Sequence, residues 1–153
     1  MPITPFHFGP GAAIHSLAPK RISFAAFCAA NVLTDVEPLY YMVTQQFPLH
    51  RFFHTYVAAT VMGAFTVALL LLVQRWITRW QATPFAIVAG AFTGTYSHVV
   101  LDSIMHSDIR PFAPFSEANG LRGIISLGEL HLCCLLAGLV GAAVLGLRKS
   151  MRS

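Results

Sequence analysis

The sequence predicts an all-α integral membrane bundle of about four transmembrane helices plus a short N-terminal re-entrant helix, forming one domain over residues 1–153. Three observations predict it. Hydrophobic residues make up 56% of the chain and charged residues only 10%, where a soluble domain carries about 25% charge, and mean hydropathy is +0.64. Apolar runs recur at the length of about 20 residues that a helix needs to cross a hydrocarbon core of about 30 Å. Finally, Lys and Arg collect at the ends of those runs, as topology-setting and snorkelling residues do. The net charge of +4 forms no basic patch with exposed aromatics, so no nucleic-acid partner is expected. Cys28, Cys133 and Cys134 lie in apolar runs without a CxxC pair, which implies neither a disulfide framework nor a thiolate zinc site.

The N-terminus lacks the basic region and small-residue cleavage site of a secretory signal, and Pro2, Pro5 and Pro10 interrupt it early, so it is expected to stay on the mature protein. Residues 6–17 form a short apolar piece with His7 and His15 in it. About 12 helical residues rise only about 18 Å, which fits a half-buried or re-entrant helix. The first full span is expected from Ile22 to Val43 and carries Asp35 and Glu37 just before Pro38. Proline disfavours regular helix in the residue before it, so the backbone can bend at Glu37 and turn both acids inward.

After a short connection over 45–51, the second span, 54–74, is the most apolar and reads as scaffold. Arg75, Trp76, Arg79 and Trp80 then mark an interface. The third span, 84–106, holds Gly90 and Gly94, a small-residue face for close packing within the chain; an oligomer is not indicated. A Pro-rich loop over 107–122 leads to the fourth span, 124–147, which opens with Glu129 and His131. Seven basic residues (Lys20, Arg21, Arg75, Arg79, Arg148, Lys149, Arg152) fall at one end of this arrangement and three (Arg51, Arg110, Arg122) at the other. The first end is therefore expected in the cytoplasm. The polar constellations all gather in the opposite half, with His7 joining them if the first helix starts there.

The most informative stretch is Ser97-His98-Val99-Val100-Leu101-Asp102. On a helix, His98 and Asp102 stand one above the other, with β-carbons about 5–6 Å apart, close enough to share a cation. An ionisable group in an apolar segment costs about 2.5–3.5 kcal/mol on insertion scales, so it needs a partner, a wet cavity or an ion. Three clusters should meet: Asp35 with Glu37, His50-Arg51-Phe52-Phe53-His54, and His98 through Asp108. Imidazoles with carboxylates are the ligand set of zinc, with manganese or iron as alternatives, and a carboxylate can bridge two ions. Taken singly, His15 and His131 are ordinary interfacial histidines, Arg51 is a snorkelling residue and Asp35 a helix-end acid.

An early His7, the acidic pair Asp35 and Glu37, the segment His50, Arg51, His54, and a membrane-end SHxxxD followed by a Pro-Phe loop (97–115) come in that order along nearly the whole chain. This order resembles the bacterial membrane-bound metal-dependent hydrolases that include the LexA-regulated inner-membrane proteins. The arrangement is also similar to the metal core of zinc-dependent phospholipase C. The resemblance implies Asp35, His54, His98 and Asp102 around one ion, with His7 and a bridging Asp102 at a second. Many relatives carry HRGxTHS, whose two histidines are spaced more widely than His50 and His54, which leaves open which of these two binds metal. His106, Glu117, Glu129 and His131 lack the spacing for a third ion.

The expected activity is hydrolysis, of a lipid or lipid-linked phosphate ester, by water activated on one or two divalent ions, most simply zinc. The site would face the periplasmic side of a bacterial inner membrane crossed several times. Asp35 is then a ligand, Glu37 or Asp35 the acceptor of the water's proton, and Arg51 or Arg110 the holder of an anionic substrate group. The alternatives from other classes are a metal-ion or proton transporter, and a non-catalytic scaffold with a vestigial site. Against transport, the chain has no internal repeat and its polar groups lie in one half.

Overall fold

The computed structural model describes residues 4–77 and 81–151, and those residues form helices and loops without strands. Arg79, Trp80, Arg152 and Pro2 lie outside the described residues. The helices are α1 (Thr4–Leu17), α2 (Phe24–Thr34), α3 (Val36–Val43), α4 (Tyr56–Trp76), α5 (Pro84–Met105) and α6 (Leu127–Ser150), with a 3₁₀ turn at Phe52–His54 before α4.

Three of these, α4, α5 and α6, are long and apolar enough to cross a membrane. The expected first span is instead two helices that meet at Asp35, which ends α2 and begins α3. The break is two residues earlier than Glu37, and Pro38 explains the offset. A proline has no N–H to offer the carbonyl four residues back, and its ring crowds that carbonyl. Here that carbonyl belongs to Thr34, the last residue of α2.

Side-chain caps fix where the other helices start. Ser23, Thr55 and Thr83 each accept the backbone N–H three residues on, at 3.2, 3.1 and 3.2 Å, to open α2, α4 and α5. Ser126 and Glu129 form a reciprocal capping box at the start of α6, so Glu129 is spent on the helix end. Each such cap contributes about 1 kcal/mol.

Two pairs of helices run parallel. In one pair, α2 lies along α5 in a four-residue register. A Cβ on Gly90 would fall 2.3 Å from the Ser23 carbonyl oxygen, and one on Gly94 2.7 Å from that of Phe27. One turn further, His98 Nδ1 lies 2.9 Å from Asn31 Oδ1. One turn beyond that, Asp102 and Asp35 both reach His98. The i, i+4 ridge Gly90-Gly94-His98-Asp102 thus faces the ridge Ser23-Phe27-Asn31-Asp35, as ridges-into-grooves packing requires. The glycines pack within the chain, as the sequence led us to expect.

In the other pair, α1 runs beside α6. Phe6 stacks on His131 at 4.3 Å between ring centroids, and a Cβ on Gly141 would meet the Ala12–Ala13 backbone. Arg148 donates to the Leu17 carbonyl at the far end. α4 packs on the remaining side of α5, where Thr60 and Tyr96 hydroxyls meet at 2.7 Å. A small-residue core of Ala26, Ala30, Ile87 and Ala91 fills the α2–α5 seam. The outer face of α6 exposes Leu132, Leu135, Leu136, Leu139 and Val140, a surface that lipid suits and water does not. With these directions, the start of α1, the end of α2, the start of α4 and the end of α5 share one end of the bundle, and all three expected clusters lie there.

Candidate metal centre

The site forms where the two facing ridges turn from small to polar. Asp102 of α5 is 1% exposed, and His7, His54 and His98 are 1%, 0% and 0% exposed. Asp102 Oδ2 lies 3.2 Å from both His54 Nε2 and His98 Nε2. Those two nitrogens are 3.2 Å apart. Asp35 Oδ1, from the α2–α3 junction, stands 3.3 Å from His98 Nε2 and 3.8 Å from His54 Nε2.

Four atoms around a tetrahedral zinc with bonds of about 2.0–2.1 Å are separated by about 3.3 Å along each edge. Four of the five distances quoted, 3.2–3.3 Å, are edges of that size, and the Asp35–His54 separation of 3.8 Å is longer. The donor set, two imidazoles and two carboxylates, is also what the ion accepts. On the other side of Asp102, Oδ1 lies 3.0 Å from His7 Nε2, and the His7 ring stacks on that of His98 at 4.5 Å.

Several of these buried atoms, including both Asp102 oxygens, His7 Nε2 and His54 Nδ1, have no hydrogen-bond partner even though neighbouring polar atoms are close. Their mutual directions do not suit donor to acceptor. A buried polar atom left unpaired costs about 1–3 kcal/mol. A cation at the centre of the four atoms removes that cost for the donors that bind it.

The residues behind the donors set their tautomers. Asn31 Nδ2 donates to the Phe27 carbonyl at 2.8 Å, which leaves Asn31 Oδ1 to accept from His98 Nδ1–H. His98 Nε2 is then the free lone pair, aimed at Asp35 and Asp102. This is the outer-shell orientation typical of metal-bound histidine.

Glu37 sits differently from the expected proton acceptor. Its carboxylate accepts the backbone N–H groups of Arg51, Phe52 and Phe53 at 3.2, 3.1 and 2.8 Å, and its nearest approach to His54 Nδ1 is 3.9 Å. The adjacent amides of Leu49 and His50 donate to Asp108 Oδ2, both at 3.1 Å. Two carboxylates therefore hold five consecutive amides of the loop that carries both histidines.

Asp108 also accepts from His50 Nδ1 at 2.9 Å. Burial, and the neighbouring His54, nonetheless push the His50 pKa down, keeping a neutral ring near neutral pH. Burial alone would raise the Asp108 pKa, but the hydrogen bonds it accepts from His50 outweigh this and lower it.

His50 and His54 occupy different positions. His54 belongs to the Asp35–His98–Asp102 group. His50 stands edge-on to His54 at 4.7 Å and stacks on His106 at 4.2 Å. Arg51 and Arg110 lie outside the cluster, in the wall of a cavity of about 490 Å³ that His50, Thr55, Asp108 and Pro114 also line. The Arg51 guanidinium sits 3.6 Å over the Tyr41 ring, and Arg110 pairs with exposed Glu117 at 2.6 Å. At the opposite end of the molecule, His15 Nδ1 is 2.6 Å from the Ile22 carbonyl, an ordinary structural contact.

Sequence reasoning missed Asn31 and the anchoring roles of Glu37 and Asp108. One signal was present: Asn31 and Asp35 repeat on α2 the four-residue spacing of His98 and Asp102 on α5.

No curated protein and no solved structure matches the chain. Residues 1–152 match the family model described as YdjM inner membrane protein, and the chain belongs to that family.

Proposed function

We propose that the chain is a membrane-embedded, metal-dependent hydrolase that cleaves a lipid or lipid-linked phosphate ester. The observation that carries this reading is the buried group Asp35, His54, His98 and Asp102, whose ligand atoms all lie within 4.8 Å of one another, set beside a cavity with two arginines in its wall. A divalent ion bound there, zinc by its donor set, would supply a Lewis acid and would lower the pKa of a further, water ligand from about 15.7 to about 7.

The chain's own residues do the rest. Asp35, at the mouth of the cluster, would hold the ion through Oδ1 and accept the water's proton on its other carboxylate oxygen, the role Glu37 gives up by anchoring the loop. Arg110, and Arg51 held in place by Tyr41 and the Pro48 carbonyl at 3.0 Å, face the anionic group of the substrate. An incoming phosphate competes with Glu117 for Arg110, and guanidinium suits either partner.

A lipid-borne substrate is supported by the rim of the same end. Phe47, Phe52, Phe112 and Phe115 are exposed there, apolar side chains at the level where headgroups meet acyl chains. Periplasmic orientation is part of the proposal and rests on the excess of basic residues at the other end. Against a transport pathway, the seam beyond His98 closes through Gly94 and Gly90 on the α2 backbone.

The test is metal content and turnover together. Purified in detergent, the protein should bind zinc and hydrolyse a generic phosphodiester or a phospholipid. His98→Ala and Asp102→Ala should lose both properties, with turnover down by at least about 10²-fold. Wild-type protein that takes up no zinc, manganese or iron would remove the proposal.

A further inference from the structure

We infer that a second divalent cation binds beside the first, held by Nε2 of His50, Nε2 of His106 and the carboxylate of Asp102, which bridges the two ions. The inference rests on the reading of Asp35, His54, His98 and Asp102 as the first site. Among the described residues, His50, Asp102 and His106 form a second group whose ligand atoms all lie within 4.8 Å of one another.

Two further observations point to an ion there. His50 is 3% exposed, and its Nε2 is buried with no hydrogen-bond partner, as is Nε2 of His106. A structural pair of histidines would spend those atoms on carbonyls or hydroxyls. Instead the rings stack at 4.2 Å, 29° from parallel. In addition, Asp108 fixes the tautomer of His50 by accepting from Nδ1 at 2.9 Å. The lone pair of Nε2 is thereby left for a ligand, the carboxylate–histidine arrangement that precedes a metal.

Asp102 can serve both groups because its oxygens face different ways. Oδ2 lies against His54 and His98, and Oδ1 against His7 at 3.0 Å. Two nitrogens and a bridging carboxylate give three protein ligands, with His7 on the same carboxylate oxygen. Such a set leaves a position open toward the arginine-lined cavity, whose wall includes His50. The paired sites answer the spacing question posed by His50 and His54, since each histidine serves one ion. They also give a phosphate two cations to bridge, as in two-metal hydrolases.

The experiment is a titration of the full chain in detergent with Zn²⁺ alone, counting bound ions per chain, repeated with Mn²⁺ and read by paramagnetic resonance for coupling between two ions. Wild type should hold two ions. His50→Ala and His106→Ala should each hold one and lose the coupled signal. Asp108→Asn should weaken the second ion about 10–100-fold and the first far less, because Glu37 still holds the amides next to His54. His50→Gln and His106→Gln, which preserve side-chain bulk, replace any alanine variant with an altered gel-filtration profile. If wild type binds a single ion and His106→Ala keeps it, the second site is wrong and the first stands. If a folded His106 variant loses both ions, the division into two sites is wrong. If wild type binds none, both readings fall.

Discussion

Asn31 decides which nitrogen of His98 faces the cluster. Its amide is pinned by the Phe27 carbonyl and its oxygen takes the Nδ1 proton. Asn31→Leu keeps the bulk of the side chain and removes the acceptor, so the His98 ring loses both its tautomer preference and its rotational lock. Metal affinity should fall about 10–100-fold while the helical circular dichroism is retained; affinity equal to wild type by competition with a chelator would show that Asn31 only fills space. At this scale the sequence was readable where chemistry repeats at helical spacing, as in His98 and Asp102. Asn31 was not read, because a single Asn in an apolar run has many structural explanations and its partner is 67 residues away. His50 and His54 were seen as alternatives because the 3₁₀ turn that sends them to different neighbours depends on contacts the local sequence does not contain.

The loop from Leu49 to Phe53 has no regular structure of its own for most of its length, and two carboxylates take the place of a strand partner or a helix. Glu37 supplies one of them. Hydrogen bonds to a charged acceptor contribute about 1.5–3 kcal/mol each. Glu37→Ala should lower stability by about 2–3 kcal/mol, speed amide exchange at Arg51, Phe52 and Phe53, and loosen metal binding because His54 follows the loop. A Glu37→Gln protein with normal amide protection and normal metal content, yet turnover reduced about 10²–10⁴-fold, would instead return Glu37 to the role of proton acceptor. The long helices themselves were legible, since apolar runs of spanning length mark them and Pro84 opens one, while the caps that fix the other starts were not read. The division of 22–43 was only half legible. Pro38 announced a bend, but the carbonyl that suffers is Thr34, so the break falls at Asp35 and places that acid at the mouth of the cluster rather than inside a span.

For the whole molecule, the proposed orientation puts the metal end in the periplasm, on the distribution of basic residues. Single cysteines at Gln46, Ala118 and Gln81, in a background lacking Cys28, Cys133 and Cys134, report on it. An impermeant thiol reagent applied to intact cells should label the first two positions and miss the third; the opposite pattern would turn the protein over. The two ends also differ in what fastens them. At one end α2 and α5 touch backbone to backbone through Gly90 and Gly94, a contact that needs nothing from outside. At the other they meet through the side chains of Asp35, His98 and Asp102, 3.2–3.3 Å apart, which the proposed cation would join. With that ion in place the bundle would be a hinge with a removable clasp, its closure set by supply. Any ligand bound only by the folded state at 1,000 times its dissociation constant adds about 4.1 kcal/mol, so a cell short of metal would carry copies that are inserted but open at one end. Chelation should raise hydrogen exchange in residues 31–37 and 98–106 and leave the segments around Ser23 and Gly90 protected. Uniform loosening along both helices would mean that the ion plays no part in joining them.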